Sequence, residues 1–135
     1  MSQGFERSAY TFDEELHTRD SGTPVTTTEA GTALTSGYYV GSVMKLLCII
    51  DSVDATDGDE VYTIYVQGRD SDSDSWEKIG IIEIAGSGSP YAISETKHEC
   101  TFQACRKQLR YYLSCAGTSP SIDCDLWFAP FGTGN

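Results

Sequence analysis

Hydrophobic positions along this chain recur at every second residue far more often than at every third or fourth, which predicts strands rather than helices. The clearest stretch runs from Glu60 to Ile84. Two runs rich in β-branched and aromatic residues, Glu60 to Asp70 and Trp76 to Ile84, flank the polar tip Ser71-Asp72-Ser73-Asp74-Ser75 and predict a β-hairpin. In the first run Tyr62, Ile64 and Val66 share one face while Val61, Thr63, Tyr65 and Gln67 share the other. In the second, Glu77, Ile79, Ile81 and Glu83 alternate with Trp76, Lys78, Gly80, Ile82 and Ile84. Neither face is fully polar, so the hairpin is expected to have neighbours on both sides.

The rest of the chain follows the same period. Residues 1–22 read as an extended arm, with Phe5, Tyr10, Phe12 and Leu16 set among acidic residues before the turn signal Asp20-Ser21-Gly22. An edge strand with a frayed end is the competing reading. Pro24 to Leu34 suits an edge strand exposed on one face, and Thr35 to Gly37 a loop. From Tyr38 to Val53 both alternating sets are apolar, Val43, Leu47 and Ile49 against Met44, Leu46, Cys48 and Ile50, with Lys45 the exception; this predicts a strand covered on both sides. Asp51 to Asp59 is loop-like, and Gly86 to Pro90 a flexible connection. Lys97 to Ala104 and Gln108 to Ala116 are two further strands. A helix from Cys100 to Leu113 is the competitor, but it lacks an apolar stripe and a cap. After the loop Gly117 to Ser121, the strand Ile122 to Phe131 sets Cys124, Leu126 and Phe128 against Asp123, Asp125 and Trp127. About eight short strands with regular turn signals predict an all-β fold, an antiparallel jelly-roll β-sandwich with an extended N-terminal arm. The expected division is an arm at 1–22, the sandwich at 23–131 and a tail at 132–135.

At 135 residues the chain is one domain that buries roughly two-thirds of its unfolded surface. Its formal net charge of -11 repels phosphate polymers and anionic lipid, so neither a nucleic acid nor a membrane is an expected partner. No apolar run is long enough to span a bilayer, and the first residues do not pair a basic region with an apolar core, so synthesis in a cytoplasm is expected. The five cysteines include no Cys-x-x-Cys pair. Buried thiols on strands are the reading, ahead of a metal cluster of His98, Cys100 and Cys105.

Candidate chemistry is sparse. Asp70, Asp72 and Asp74 have the alternate-acid spacing of a calcium loop, but Ser75 and Ile81 stand where a helix-loop-helix site needs glycine and glutamate. A solvated acidic tip is the reading, with a looser site shared with Asp54, Asp57 and Asp59 the alternative. No nucleophilic serine motif, paired histidine or phosphate loop is present, so neither an enzyme nor a cofactor is expected. Arg106, Lys107 and Arg110 form the one basic cluster, three of nine cationic residues. They could grip an acidic partner or pair with nearby acids of the chain itself. Tyr38-Tyr39, Tyr111-Tyr112 and Trp127-Phe128 are adjacent aromatic pairs, which on a strand place one ring inside and one outside; outward rings suit an interface or a sugar platform.

The order of segments resembles the small jelly-roll cement proteins that decorate capsids of tailed bacteriophages, of the Bordetella-phage type. The likeness is carried by Tyr10-Thr11-Phe12-Asp13-Glu14-Glu15-Leu16 with Asp20-Ser21-Gly22, by Val61 to Asp74, by Leu109-Arg110-Tyr111-Tyr112-Leu113 and by Asp125-Leu126-Trp127-Phe128-Ala129. It implies a non-enzymatic virion protein on the capsid exterior that locks neighbouring major capsid protein subunits together as a dimer or trimer. The expected capsid contacts are Phe5, Tyr10 and Phe12 in the arm and Arg106, Lys107 and Arg110 in the basic turn. The alternative is a carbohydrate-binding β-sandwich of a virion adhesin or fibre, using outward aromatics and calcium in the acidic loops.

Overall fold

The computed structural model describes residues 16–35, 40–85 and 97–130. Phe5, Tyr10 and Phe12, the aromatic pair Tyr38-Tyr39 and the Gly86 to Pro90 connection lie outside the described residues. Among the described residues nine strands follow one another: β1 (His17–Arg19), β2 (Thr28–Ala30), β3 (Leu34–Thr35), β4 (Val43–Val53), β5 (Val61–Arg69), β6 (Glu77–Ala85), β7 (Lys97–Gln103), β8 (Gln108–Ala116) and β9 (Ile122–Pro130). They form two antiparallel sheets, ordered β1-β9-β4-β7 and β2-β8-β5-β6, with β3 also pairing with β8. From β3 onward the chain changes sheet at every connection except the β5-β6 hairpin, and this two-sheet Greek-key order is the jelly roll.

The expected alternation places the core. Met44, Leu46, Cys48 and Ile50 of β4 and Ile122, Cys124, Leu126 and Phe128 of β9 point inward from one sheet. Tyr62, Ile64 and Val66 of β5 and Leu109, Tyr111 and Leu113 of β8 meet them from the other. Phe102 meets Phe128 edge to face, with ring centroids 5.9 Å apart. Each such burial contributes about 1.5–3 kcal/mol. The outward set of β4 is mixed: Leu47 is buried, Ile49 half-buried and Val43 exposed.

The structure departs from the sequence reading in two places, among the N-terminal strands and in the central hairpin. The stretch read as an arm ends in an edge strand, because His17 and Arg19 pair with Trp127 and Leu126 of β9. The Arg19 guanidinium explains the attachment. Its Nε donates to Glu29 Oε1 at 2.6 Å, Nη1 to Asp123 Oδ1 at 3.0 Å and to the Cys124 carbonyl at 2.6 Å, and Nη2 to the Thr23 carbonyl at 2.6 Å. Asp123 also accepts from the Gly22 amide at 2.8 Å, and the Tyr111 hydroxyl donates to Glu29 at 2.8 Å. Burial alone would lower the Arg19 pKa, but the hydrogen bonds it donates to Glu29 and Asp123 outweigh it and hold the group above its ordinary value. The edge strand expected over Pro24 to Leu34 is broken in two. Between its halves Gly31 lies so close to Tyr111 that a Cβ there would sit 2.3 Å from the ring.

The second departure is a bulge in the central hairpin. Val66 pairs with Gly80 but Gln67 with Lys78, so Ile79 is an extra residue on β6. Strict alternation would put Lys78 with the core residues Gly80, Ile82 and Ile84, and Ile79 on the outside. The bulge inverts both: Ile79 packs against the core and Lys78 is exposed.

Candidate binding face

The outer face of the β2-β8-β5-β6 sheet is built from the residues the core does not use. Cross-strand registers set them in rows. Tyr112 of β8, Tyr65 of β5 and Ile81 of β6 stand side by side, and the next row is Arg110, Gln67 and Lys78. Ile81 is 52% exposed, a large apolar side chain left open to solvent beside two tyrosines. Trp76, just before β6, stands over the end of the second row: the Arg69 guanidinium lies 4.2 Å and that of Arg110 4.4 Å from its ring centroid. Lys78 Nζ lies 4.1 Å from the Tyr65 centroid, and Arg110 reaches 5.8 Å from Tyr112. Aromatic faces thus hold three cations in place.

The partners of these cations differ. Arg69 donates to Gln108 Oε1 at 2.8 Å and reaches Asp72 at 3.5 Å. Arg110 donates through Nε to Gln67 Oε1 at 2.7 Å. Among the described residues neither Arg110 nor Lys78 has a carboxylate within ion-pair distance. Burial, and then the neighbouring charge of Arg69, lower the Arg110 pKa from its usual value.

The sequence-selected residues are distributed differently. Arg106 is paired within the chain, with Nη2 2.8 Å from Glu77 Oε1 and Nη1 3.3 Å from Asp70 Oδ2. The Lys107 amide donates to Asp70 Oδ1 at 3.2 Å. Arg110, grouped with them by sequence, belongs instead to the outer face of β8. Asp70 is therefore engaged by the basic turn, and Asp72 by Arg69 and by Gln108 Nε2 at 2.9 Å. Asp70 and Asp74 edge an open depression of about 330 Å³ that also takes in Arg69, Ser75, Glu77 and Arg106. In the neighbouring loop Asp54 accepts from Thr56, and Asp59 from the Thr118 amide and hydroxyl at 3.0 and 2.8 Å. These hydrogen bonds lower both carboxyl pKa values. The tips read as internally bonded turns, and none of their acids falls in a metal-competent group among the described residues.

The described residues bring one such group together elsewhere: His17, Asp20 and Asp125, with ligand atoms within 4.8 Å of one another. His17 Nε2 lies 3.2 Å from Asp20 Oδ1 and 3.3 Å from Asp125 Oδ1, and its ring stacks on Trp127 at 3.8 Å. These are hydrogen-bond distances, and the Ser21 amide adds another to Asp125. Sequence could not find the trio, because Asp125 lies more than a hundred residues from His17. His98, Cys100 and Cys105 do not form a metal group. All five thiols are free; burial raises the Cys100 pKa, and pushes that of Cys115 up to about 11. Of the aromatic pairs within the described residues, Tyr111 and Phe128 are buried while Tyr112 and Trp127 face outward, half-buried. Sequence reasoning had no reason to select Tyr65, Trp76 or Lys78. The available signal was the density of aromatic and cationic residues in and around the hairpin, which the bulge turns into one surface.

No family profile and no curated protein matches the sequence. Among solved structures the chain is similar to the CBM22-1-GH10 modules of the Clostridium thermocellum N-terminal endo-1,4-beta-D-xylanase 10B, complexed with xylohexaose. The identity is 17% and the TM-score 0.47, over 74% of this chain and 19% of that one. This chain thus spans about a fifth of that structure, and at such identity and TM-score the likeness does not extend to what either protein binds.

Proposed function

We propose that the chain is a non-enzymatic structural protein of a virion, a cement protein that binds the outer surface of a tailed-phage capsid and ties neighbouring major capsid protein subunits together. The observation that carries the reading is the jelly-roll strand order, in which the segments of the sequence resemblance supply central strands of both sheets: β5 and β8 in one, β9 in the other. The charge of -11 supports it, since such a surface keeps away from packaged nucleic acid. Binding as a homo-oligomer across several capsid subunits adds avidity. Electron cryomicroscopy of particles from the source sample tests the proposal. Density of this size at regular positions on the capsid exterior is expected; its absence from the shell would overturn the reading.

A second reading, a carbohydrate-binding β-sandwich, is favoured by one specific observation: Tyr65, Tyr112 and Trp76 stand together on an outer sheet face with polar and charged groups between them. Retention on immobilised polysaccharide supports it, and passage through every such matrix removes it.

A further inference from the structure

The outer face of β2-β8-β5-β6 is unusual for this molecule in its charge. Of the nine Lys and Arg residues, Arg69, Lys78 and Arg110 lie on it, and Arg106 and Lys107 sit at the hairpin tip beside it. The acids near the face are Asp72, which reaches Arg69 and Gln108, and Glu83, which lies opposite Thr63 two places along the strand from Ile81. Arg110 and Lys78 are left with aromatic rings and the Gln67 side chain as neighbours, and with hydrogen-bond donors still to spend. A charged group that is held in position but not neutralised is a ready-made half of an ion pair.

We infer that this face binds an anionic polysaccharide, with uronate carboxylates taken by Arg110 and Lys78 and sugar rings lying against Tyr112 and the exposed Ile81. The inference rests on the carbohydrate reading and is independent of the cement reading. Strands lie about 4.8 Å apart, so the backbones of Arg110 and Lys78, separated by β5, are about 10 Å apart. Two anionic groups on a flat, extended chain match that spacing. A nucleic acid fits less well. Its strand carries a charge about every 3.4 Å, closer than the one carboxylate per sugar of even a fully charged uronate chain, so two cations neutralise a smaller share and the rest of this acidic surface repels more of the surplus. Free ring faces for stacked bases are also scarce, because Arg69, Arg110 and Lys78 already cover Trp76 and Tyr65. An acidic globular protein would meet the repelling surroundings over a still wider area.

Affinity electrophoresis of the full chain through gels containing polygalacturonate, alginate or hyaluronate, with methyl-esterified pectin as the neutral counterpart, tests the inference. Retardation by at least one uronate polymer, weakened by salt and absent with the neutral polymer, is expected. Arg110→Gln and Lys78→Gln should each weaken binding about tenfold, as loss of a charge-assisted hydrogen bond implies. Lys107→Gln, off the face, should not. Lys78 is exposed, so its variant keeps the test valid even where Arg110→Gln perturbs folding, which a cooperative melt reports. Retardation by no polymer overturns this inference; the carbohydrate reading falls with it only if the chain also passes every neutral polysaccharide matrix. Equal retardation by the neutral polymer overturns the anionic assignment alone and leaves the carbohydrate reading standing. Binding that survives Lys78→Gln, or that prefers an oligothymidylate, places the ligand elsewhere or in another class and overturns the inference as well.

Discussion

Arg19 and Arg110 are the same side chain in two opposite situations. Arg19 is 8% exposed, at the seam where β1 meets β9, and its donors end on two carboxylates and two well-placed backbone carbonyls. Arg110 stands on the outer face of β8 with one glutamine oxygen and two aromatic rings. A buried cation must have its charge answered from within the chain, because water cannot do it. A half-exposed one need not, and where it is held in place without an acid, the missing counterion can come from a ligand. Saturation marks the frame of this protein, and shortfall marks the surface that faces outward.

Removing the two arginines tests the contrast most strongly. Arg19→Ala leaves Asp123 and Glu29 without their cation, and urea denaturation should show a loss of about 3–5 kcal/mol. Arg110→Ala should cost about 1 kcal/mol or less, the worth of its cation-π contacts. Comparable losses would break the comparison and make Arg110 a structural residue. An intermediate effect is expected at the rim of the Arg19 network. Tyr111→Phe deletes the hydroxyl that donates to Glu29, and should lower stability by about 1 kcal/mol while Tyr112→Phe leaves it unchanged. The smallest effect sharpens the same idea among carboxylates. Asp59, saturated by Thr118, has a pKa below the ordinary value, whereas burial and then the nearby charge of Glu60 raise that of Asp57. For Asp59 the stabilisation is full above the ordinary carboxylate range and is lost as pH falls through the depressed folded value. For Asp57 the sign is reversed: its ionisation opposes the native state, and acid relieves it. Thermal melts across the acid range should therefore show a flattened acid limb in Asp59→Asn, and in Asp57→Asn a melting temperature at neutral pH that is unchanged or higher.

The architecture was legible because a strand advertises itself locally. Alternation in β4, β5, β8 and β9 carried enough apolar residues to locate the core faces, and turn signals such as Asp57-Gly58 and Gly117 fell where the chain reverses. Gly117, at φ +106°, also lets the β8-β9 loop pass so close to Asp59 that a Cβ would lie 2.5 Å from its carbonyl. What sequence could not supply was long-range partnership. His17 reads as one more polar residue near a terminus until Trp127 and Asp125 are placed beside it by the β1-β9 register. Arg106 and Arg110, four residues apart, looked like one basic cluster, yet the first turns to Glu77 and the second to the face of the sheet. Lys78 was misplaced for a different reason. Period two predicts orientation only while the ladder is unbroken, and nothing in Glu77-Lys78-Ile79-Gly80-Ile81 announces a bulge.

That bulge divides β6 into two independent phases. From Gly80 onward the strand obeys the demands of the interior; before Ile79 its phase is shifted, and Lys78 and Trp76 belong to the exterior. A single-codon deletion of Ile79 would remove the extra residue and leave Lys78 on the exterior, opposite Gln67 in an unbroken ladder, while substitutions at Trp76 or Lys78 leave the interior register untouched. The hairpin can therefore change what its surface recognises by point substitution, on a scaffold that its other half keeps fixed.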